Sequence, residues 1–164
     1  MKALLTLPLL FISLITISQD VEHIRMVAID KPIVKVDING KKAFFLVDTG
    51  ADISVINSGS IEKYDLEESK IYSNSARAIS FNGNTSSVMR VKNAQLTLAE
   101  NFDHQDFFSM DLSRLIEVIK AKTTIRITGI LGADLLLKYH CIIDYNQRQI
   151  TMVNGRSKRR LASK

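Results

Sequence analysis

The strongest constraint in this sequence is an acidic residue placed directly after a run of apolar residues. Residues 43–47 read Ala-Phe-Phe-Leu-Val and are followed by Asp48-Thr49-Gly50-Ala51. A strand this rich in aromatic and branched side chains is predicted to be buried. Its end would deliver a carboxylate into the protein interior, where an unpaired charge is costly. The carboxylate of Asp48 therefore needs a partner that neutralises it.

A second stretch uses the same combination of apolar residues and glycines. Residues 127–134 read Ile-Thr-Gly-Ile-Leu-Gly-Ala-Asp. Together the two stretches resemble the retropepsin-like aspartic proteases, whose pattern is apolar-apolar-Asp-Thr-Gly-Ala followed later by apolar-apolar-Gly. The resemblance implies a mostly β fold: a retropepsin-like closed β-barrel with a flap hairpin and one or two short helices.

The resemblance also assigns roles to individual positions of this sequence. The catalytic positions are Asp48, Thr49 and Gly50; the substrate-binding positions are Ala51, Asp52 and the flap tip Phe81, Asn82 and Gly83; and Leu131 and Gly132 would pack beneath the acidic loop. Thr49 would exchange hydrogen bonds with the matching loop of a partner chain.

The chain carries a single Asp-Thr-Gly motif in 164 residues, a length that is normally one domain. One motif supplies one carboxylate, so a catalytic pair requires two chains. The implied function is an aspartic endopeptidase that acts as a homodimer on a peptide or protein substrate. The alternative is a catalytically inactive retropepsin-like module that binds peptide or protein chains.

Two departures from the family pattern concern the surroundings of the site. Viral members carry Arg after the second glycine, where this chain has Ala133, so an Arg brace on Asp52 is lost. Arg126 is a candidate replacement. The basic end of the chain has no clear match to the terminal strands that build the dimer sheet in the family.

Other classes of site find little support. The three histidines (His23, His104 and His140) lack metal-ligand spacing, and we expect neither a metal nor a cofactor. Cys141 is the only cysteine, with apolar neighbours that predict a buried, inert thiol. No second acid stands at the defined spacing that a glycosidase needs. The net charge of +5 collects near the end of the chain without interleaved aromatic residues, which does not indicate nucleic-acid binding.

The N-terminus is typical of a secretory signal. A basic start at Met1-Lys2 precedes a short apolar stretch, and small polar residues end at Ser18. We expect cleavage after residue 18, export to the periplasm or medium, and no stable membrane insertion afterwards. The alternatives are an uncleaved membrane anchor and an apolar first strand. The predicted organisation is a signal at 1–18, a leader at 19–30, the protease domain at 31–153 and a basic tail at 154–164.

Periodicity and turn residues predict the main elements. Alternating residues 32–38, the turn Asn39-Gly40 and the run to residue 47 predict a β-hairpin. Further predictions are a short strand at 53–56, a hairpin over 78–91, a helix that is capped by Asp111 or Ser113 and ends near Lys122, a short helix at 134–139 and a final hairpin over 141–153.

Overall fold

The computed structural model describes residues 21–70, 77–79, 85–98, 103–104 and 107–153. Over these ranges the chain forms fourteen strands and two α-helices, which confirms the mostly β fold with two short helices. The strands are β1 (Val21–Arg25), β2 (Ile33–Ile38), β3 (Lys41–Val47), β4 (Val55–Asn57), β5 (Glu67–Ser69), β6 (Arg77–Ile79), β7 (Thr85–Ser87), β8 (Met89–Lys92), β9 (Leu96–Thr97), β10 (Asp103–His104), β11 (Phe107–Met110), β12 (Gly129–Leu131), β13 (Ile142–Asp144) and β14 (Gln149–Val153). The helices are α1 (Ser113–Thr123) and α2 (Ala133–Lys138), and 3-10 turns cover Ser58–Ser60 and Glu62–Tyr64.

The largest sheet has nine strands in the order β10-β9-β2-β3-β12-β4-β11-β8-β5. Strand β12 lies between β3 and β4, parallel to β3 and antiparallel to β4. The parallel register pairs Leu131 with Val47. Because parallel strands end at the same edge, the two sequence motifs leave the sheet side by side.

The β2–β3 hairpin delivers the chain to the acidic motif. The two strands pair from Ile38 with Lys41 to Ile33 with Leu46. Asn39 and Gly40 form the turn with φ angles of 50° and 77°, the left-handed values that a tight two-residue hairpin requires. The predicted hairpin is confirmed, and its turn chemistry sets the register of β3.

Strand β3 is buried on both of its faces. Phe45 and Val47 belong to one cluster of buried residues, and Leu46 belongs to a second cluster. This placement explains why residues 43–47 form an unbroken apolar run instead of an alternating one. The strand that leads directly to Asp48 is therefore held from two sides.

Helix α1 covers the second cluster with one apolar face. Ile116 and Ile119 are buried, and the helix ends at Thr123, one residue beyond the predicted end. At its start, Asp111 Oδ1 accepts a hydrogen bond from the backbone N–H of Ser113 at 2.8 Å. Hydrogen bonding from the Ser113 hydroxyl, and then from its backbone N–H, lowers the pKa of the Asp111 carboxyl. The buried Asn57 accepts from the backbone N–H of Leu112 at 3.0 Å, which ties the helix to β4.

A separate three-stranded sheet joins the two ends of the described chain in the order β1-β14-β13. Strand β1 pairs with β14 from Val21–Val153 to Arg25–Gln149. The segment 19–30, predicted as a leader, therefore contributes a strand to the folded unit, ahead of the predicted boundary at residue 31. Only Ile24 of β1 is buried. One buried residue gives no alternating pattern of apolar side chains, so the sequence did not predict this strand.

Other predicted elements are found close to their expected positions. The hairpin after the acidic loop is confirmed by the pairing of β6 with β7, and the final hairpin by that of β13 with β14. The flap tip at 81–83, the signal at 1–18 and the tail at 154–164 lie outside the described residues. In the part of the chain that is described, no helix combines the length and apolar character needed to cross a bilayer.

Candidate active site

The acidic loop is a tight turn fixed to the neighbouring strand. The backbone N–H of Asp48 donates to the carbonyl of Leu131 at 3.0 Å, and that of Ala51 donates back to the carbonyl of Asp48 at 3.2 Å. The Gly50 N–H donates to Asp48 Oδ1 at 2.9 Å. The carboxylate is therefore oriented by backbone groups, which are less mobile than side chains.

The exposure of this loop differs from one residue to the next. Asp48 is half-buried, and Thr49 and Gly50 are exposed. Among the described residues, no cation forms an ion pair with Asp48, and none accepts or donates a hydrogen bond at the Thr49 hydroxyl. The sequence predicted a carboxylate that needs a partner, and the described part of a single chain supplies no ionic partner.

The second glycine motif lies against the same loop. A Cβ at Gly132 would stand 2.7 Å from the backbone oxygens of Ala51 and Ile53, so no side chain fits there. The next two backbone N–H groups, of Ala133 and Asp134, donate to the carbonyls of Ala51 at 2.7 Å and Asp52 at 3.2 Å. The first two backbone N–H groups of α2 thus provide hydrogen-bond donors for two carbonyl groups of the acidic loop.

Comparison with known proteins agrees with this geometry. The family model described as "gag-polyprotein putative aspartyl protease" matches residues 34–138, which contain both motifs and the strands between them. The chain belongs to the retropepsin-like aspartic protease family. No curated protein matches the sequence.

Solved structures similar to this family member share little sequence with it. The retroviral protease-like domain of Ddi1 from Leishmania major is 17% identical, with 74% of this chain and 87% of that one covered and a TM-score of 0.49. A retropepsin-like aspartic protease from Rickettsia conorii is 16% identical, with 83% and 93% covered and a TM-score of 0.47. EIAV protease in complex with the inhibitor HBY-793 is 20% identical, with 66% and 86% covered and a TM-score of 0.41.

In this retropepsin-like chain a buried polar network that the sequence analysis missed ties the two motifs together. Ser54 is fully buried; its backbone N–H donates to Asp134 Oδ2 at 3.0 Å and its hydroxyl donates to Asp134 Oδ1 at 2.7 Å. The Gly132 N–H donates to the Ser54 hydroxyl oxygen at 2.9 Å. One signal in the sequence could have revealed this network: Ser54 is a polar residue inside the otherwise apolar run 53–56. A hydroxyl that is buried in such a strand needs a hydrogen-bond partner.

Ser54→Ala and Asp134→Ala are each expected to lower the free energy of unfolding by about 1–3 kcal/mol, because each leaves a partly or fully buried polar partner without its hydrogen bonds. The double variant should lose less than the sum, since it removes the Ser54 hydroxyl and the Asp134 carboxylate together and leaves neither of these two groups without the other. Urea unfolding of the four proteins in this cycle measures the coupling. Asp52→Ala is the matched control, because Asp52 is an exposed carboxylate in the same loop. Additive losses would show that the two side chains do not act as a pair.

The proposed replacement for the lost arginine brace is wrong. Arg126 Nη1 lies 3.1 Å from Glu117 Oε1, and both side chains are more than half exposed. Asp52 is exposed, and its backbone carbonyl, not its carboxylate, accepts a hydrogen bond from the backbone N–H of Asp134 in α2. In this member of the family the Ser54–Asp134 hydrogen bonds link the acidic loop to the second glycine motif.

The remaining candidate groups lie apart from the loop. Cys141 is half-buried, and burial raises its pKa to about 11, so little thiolate forms near neutral pH. His23 Nδ1 is hydrogen-bonded to the Thr151 hydroxyl at 3.0 Å on the terminal sheet. Within the described ranges no cluster of three or more His, Cys, Asp or Glu residues could hold a metal ion.

Proposed function

We propose that this chain is an aspartic endopeptidase in which a water molecule is activated between the Asp48 carboxyls of two identical subunits. The observation that carries the proposal is the state of the acidic loop in one chain. Its carboxylate is oriented by the Gly50 amide and half-buried without a counter-ion among the described residues. The family to which the chain belongs supports a protease function in general.

The chemistry follows from two carboxyl groups that share one proton. The ionised carboxyl takes a proton from the water, and the protonated one polarises the carbonyl of the scissile peptide bond. Two like charges so close together cannot both ionise, a behaviour already established for aspartic proteases as a class. The pair titrates as a unit, and neither apparent pKa belongs to one residue.

The neighbouring residues take positioning roles in this proposal. The exposed Thr49 hydroxyl hydrogen-bonds the same loop of the partner chain and keeps the two carboxyls coplanar. Ala51 and Asp52 contact the main chain of an extended substrate. The flap tip, residues 81–83, closes over the bound peptide and excludes water. Leu131 and Gly132 support the loop from below through the contacts described above.

Cleavage should depend on protein concentration in a way that reports dimer formation. When most of the protein is monomeric, we expect cleavage per milligram of protein to rise in proportion to protein concentration, because only paired chains carry a complete site. Initial rates on a peptide mixture between about pH 4 and 7, measured beside sedimentation of the same samples, test this expectation.

Cleavage by a species that sediments as a monomer at every concentration would contradict the paired-carboxyl proposal. A folded dimer that cleaves no peptide under any of these conditions would instead favour the alternative, an inactive module that binds peptide or protein chains. The two outcomes are separated because assembly and cleavage are recorded on the same samples.

A further inference from the structure

A concave pocket lies toward the opposite end of β3 from the acidic loop. Its volume is about 460 Å³, and its lining includes Lys42, Phe44, Ser60, Lys63, Tyr64 and residues 124–128. Lys42 precedes Asp48 by six positions along the chain, which corresponds to roughly 20 Å of extended strand. The pocket is therefore a separate feature of the surface, remote from the proposed catalytic carboxylate.

Positive charge is concentrated around this pocket, and the described residues that line it include no Asp or Glu. Lys42 Nζ lies 5.1 Å from the centre of the Phe44 ring, and Lys63 Nζ lies 4.8 Å from the centre of the Tyr64 ring. Contact with an aromatic face restrains an ammonium group but leaves its charge intact. The nearby carboxylate of Asp65 is already paired with Lys41 at 2.6 Å.

A third cation stands at the rim of the same pocket. Arg126 contributes to the lining, and within the described part of the chain only one of its terminal nitrogens is engaged, by the exposed Glu117 at 3.1 Å. An exposed pair of this kind contributes little free energy and is readily rearranged. Three cationic side chains on one concave surface produce a local positive potential that favours an anionic ligand.

We infer that this pocket binds an acidic segment of a polypeptide, with Lys42 and Lys63 as the principal contacts. A single-stranded nucleic acid is a poorer match, because such ligands need free aromatic faces for their bases. Here Tyr64 is fully buried, and the Lys42 ammonium lies over one face of the half-buried Phe44 ring. The inference does not depend on catalysis at Asp48 and stands or falls separately from the proposed function.

The test measures binding of fluorescein-labelled hexaglutamate to the full-length protein in an Asp48→Asn background, so that cleavage cannot contribute. We expect saturable binding that weakens with added salt. Lys42→Gln combined with Lys63→Gln should weaken it about five- to twentyfold. Lys63→Arg, which keeps the charge, should retain binding within about twofold. The matched control combines Arg25→Gln with Lys70→Gln, which removes two exposed charges from outside the pocket and should also stay within about twofold.

Because every variant retains the same basic C-terminal residues, nonspecific attraction to the tail is common to all of them. The absence of saturable hexaglutamate binding would overturn the inference, as would equal losses in the pocket and control pairs. A labelled thymidylate hexamer that binds more tightly and loses its binding in the pocket variant would overturn it in favour of a nucleic-acid ligand. Thermal unfolding of each variant verifies that the compared proteins are folded.

Discussion

Replacing Asp48 with Asn is expected to reduce peptide cleavage by at least about 1000-fold, because an amide can neither accept the proton of the attacking water nor share one with a second carboxyl. The fold should persist, since the Asn carbonyl oxygen can still accept the hydrogen bond that Gly50 donates to Asp48 Oδ1. Initial rates on a peptide mixture, together with sedimentation and thermal unfolding of the same preparation, measure both parts of this prediction.

Asp37→Asn is the matched control, because it makes the same chemical change on β2, away from the acidic loop, and is expected to leave cleavage unchanged. Mixing provides a sharper form of the experiment. If subunits exchange freely between equal amounts of wild type and Asp48→Asn, about one quarter of the dimers carry two intact carboxyls, and activity should fall to that fraction of an equal total of wild type. Under the same exchange, a mixture that keeps about three quarters of the activity would show that one Asp48 per dimer is sufficient, because the mixed dimers would then also cleave.

The parts of the fold that the sequence predicted are those set by local chemistry. Asn39-Gly40 fixes a two-residue turn with positive φ at both positions, so the hairpin and its register follow from neighbouring residues. Helix α1 was predicted within one residue of its end because its apolar stripe and the acceptor at Asp111 are both local signals. Local patterns of this kind require no knowledge of the rest of the chain.

The parts that escaped prediction depend on contacts between distant segments. Strand β1 is recognisable only from its pairing with β14, more than 120 residues away, because a single buried residue gives almost no periodic signal. Ser54 and Asp134 are likewise 80 residues apart, and neither residue indicates its partner. The family resemblance located both motifs in the sequence. The hydrogen bonds between them could not be predicted, because they depend on the position of β12 between β3 and β4.

Gly129→Ala is expected to cost about 3 kcal/mol or more of stability, because the site has no room for a methyl group. A Cβ there would stand 2.3 Å from the carbonyl oxygen of Val55 and 2.5 Å from the ring of Phe45, which is fully buried. Strand β12 cannot move aside, because it is hydrogen-bonded to β3 on one side and to β4 on the other. The thermal midpoint should fall by about 10 °C or more.

The same substitution tests how the sheet supports the acidic loop. Leu131, two residues beyond Gly129, accepts the hydrogen bond from the Asp48 backbone N–H, so a displaced β12 should also lower cleavage at temperatures where the protein remains folded. Gly59→Ala is the matched control: its nearest contact would be the Asn57 side-chain nitrogen at 3.2 Å, and we expect a loss below about 1 kcal/mol. Equal losses from the two substitutions would mean that β12 is not wedged between its neighbours. If Gly129→Ala lowers cleavage under conditions where all of the protein is folded, the close packing at Gly129 helps to position the Asp48 carboxylate.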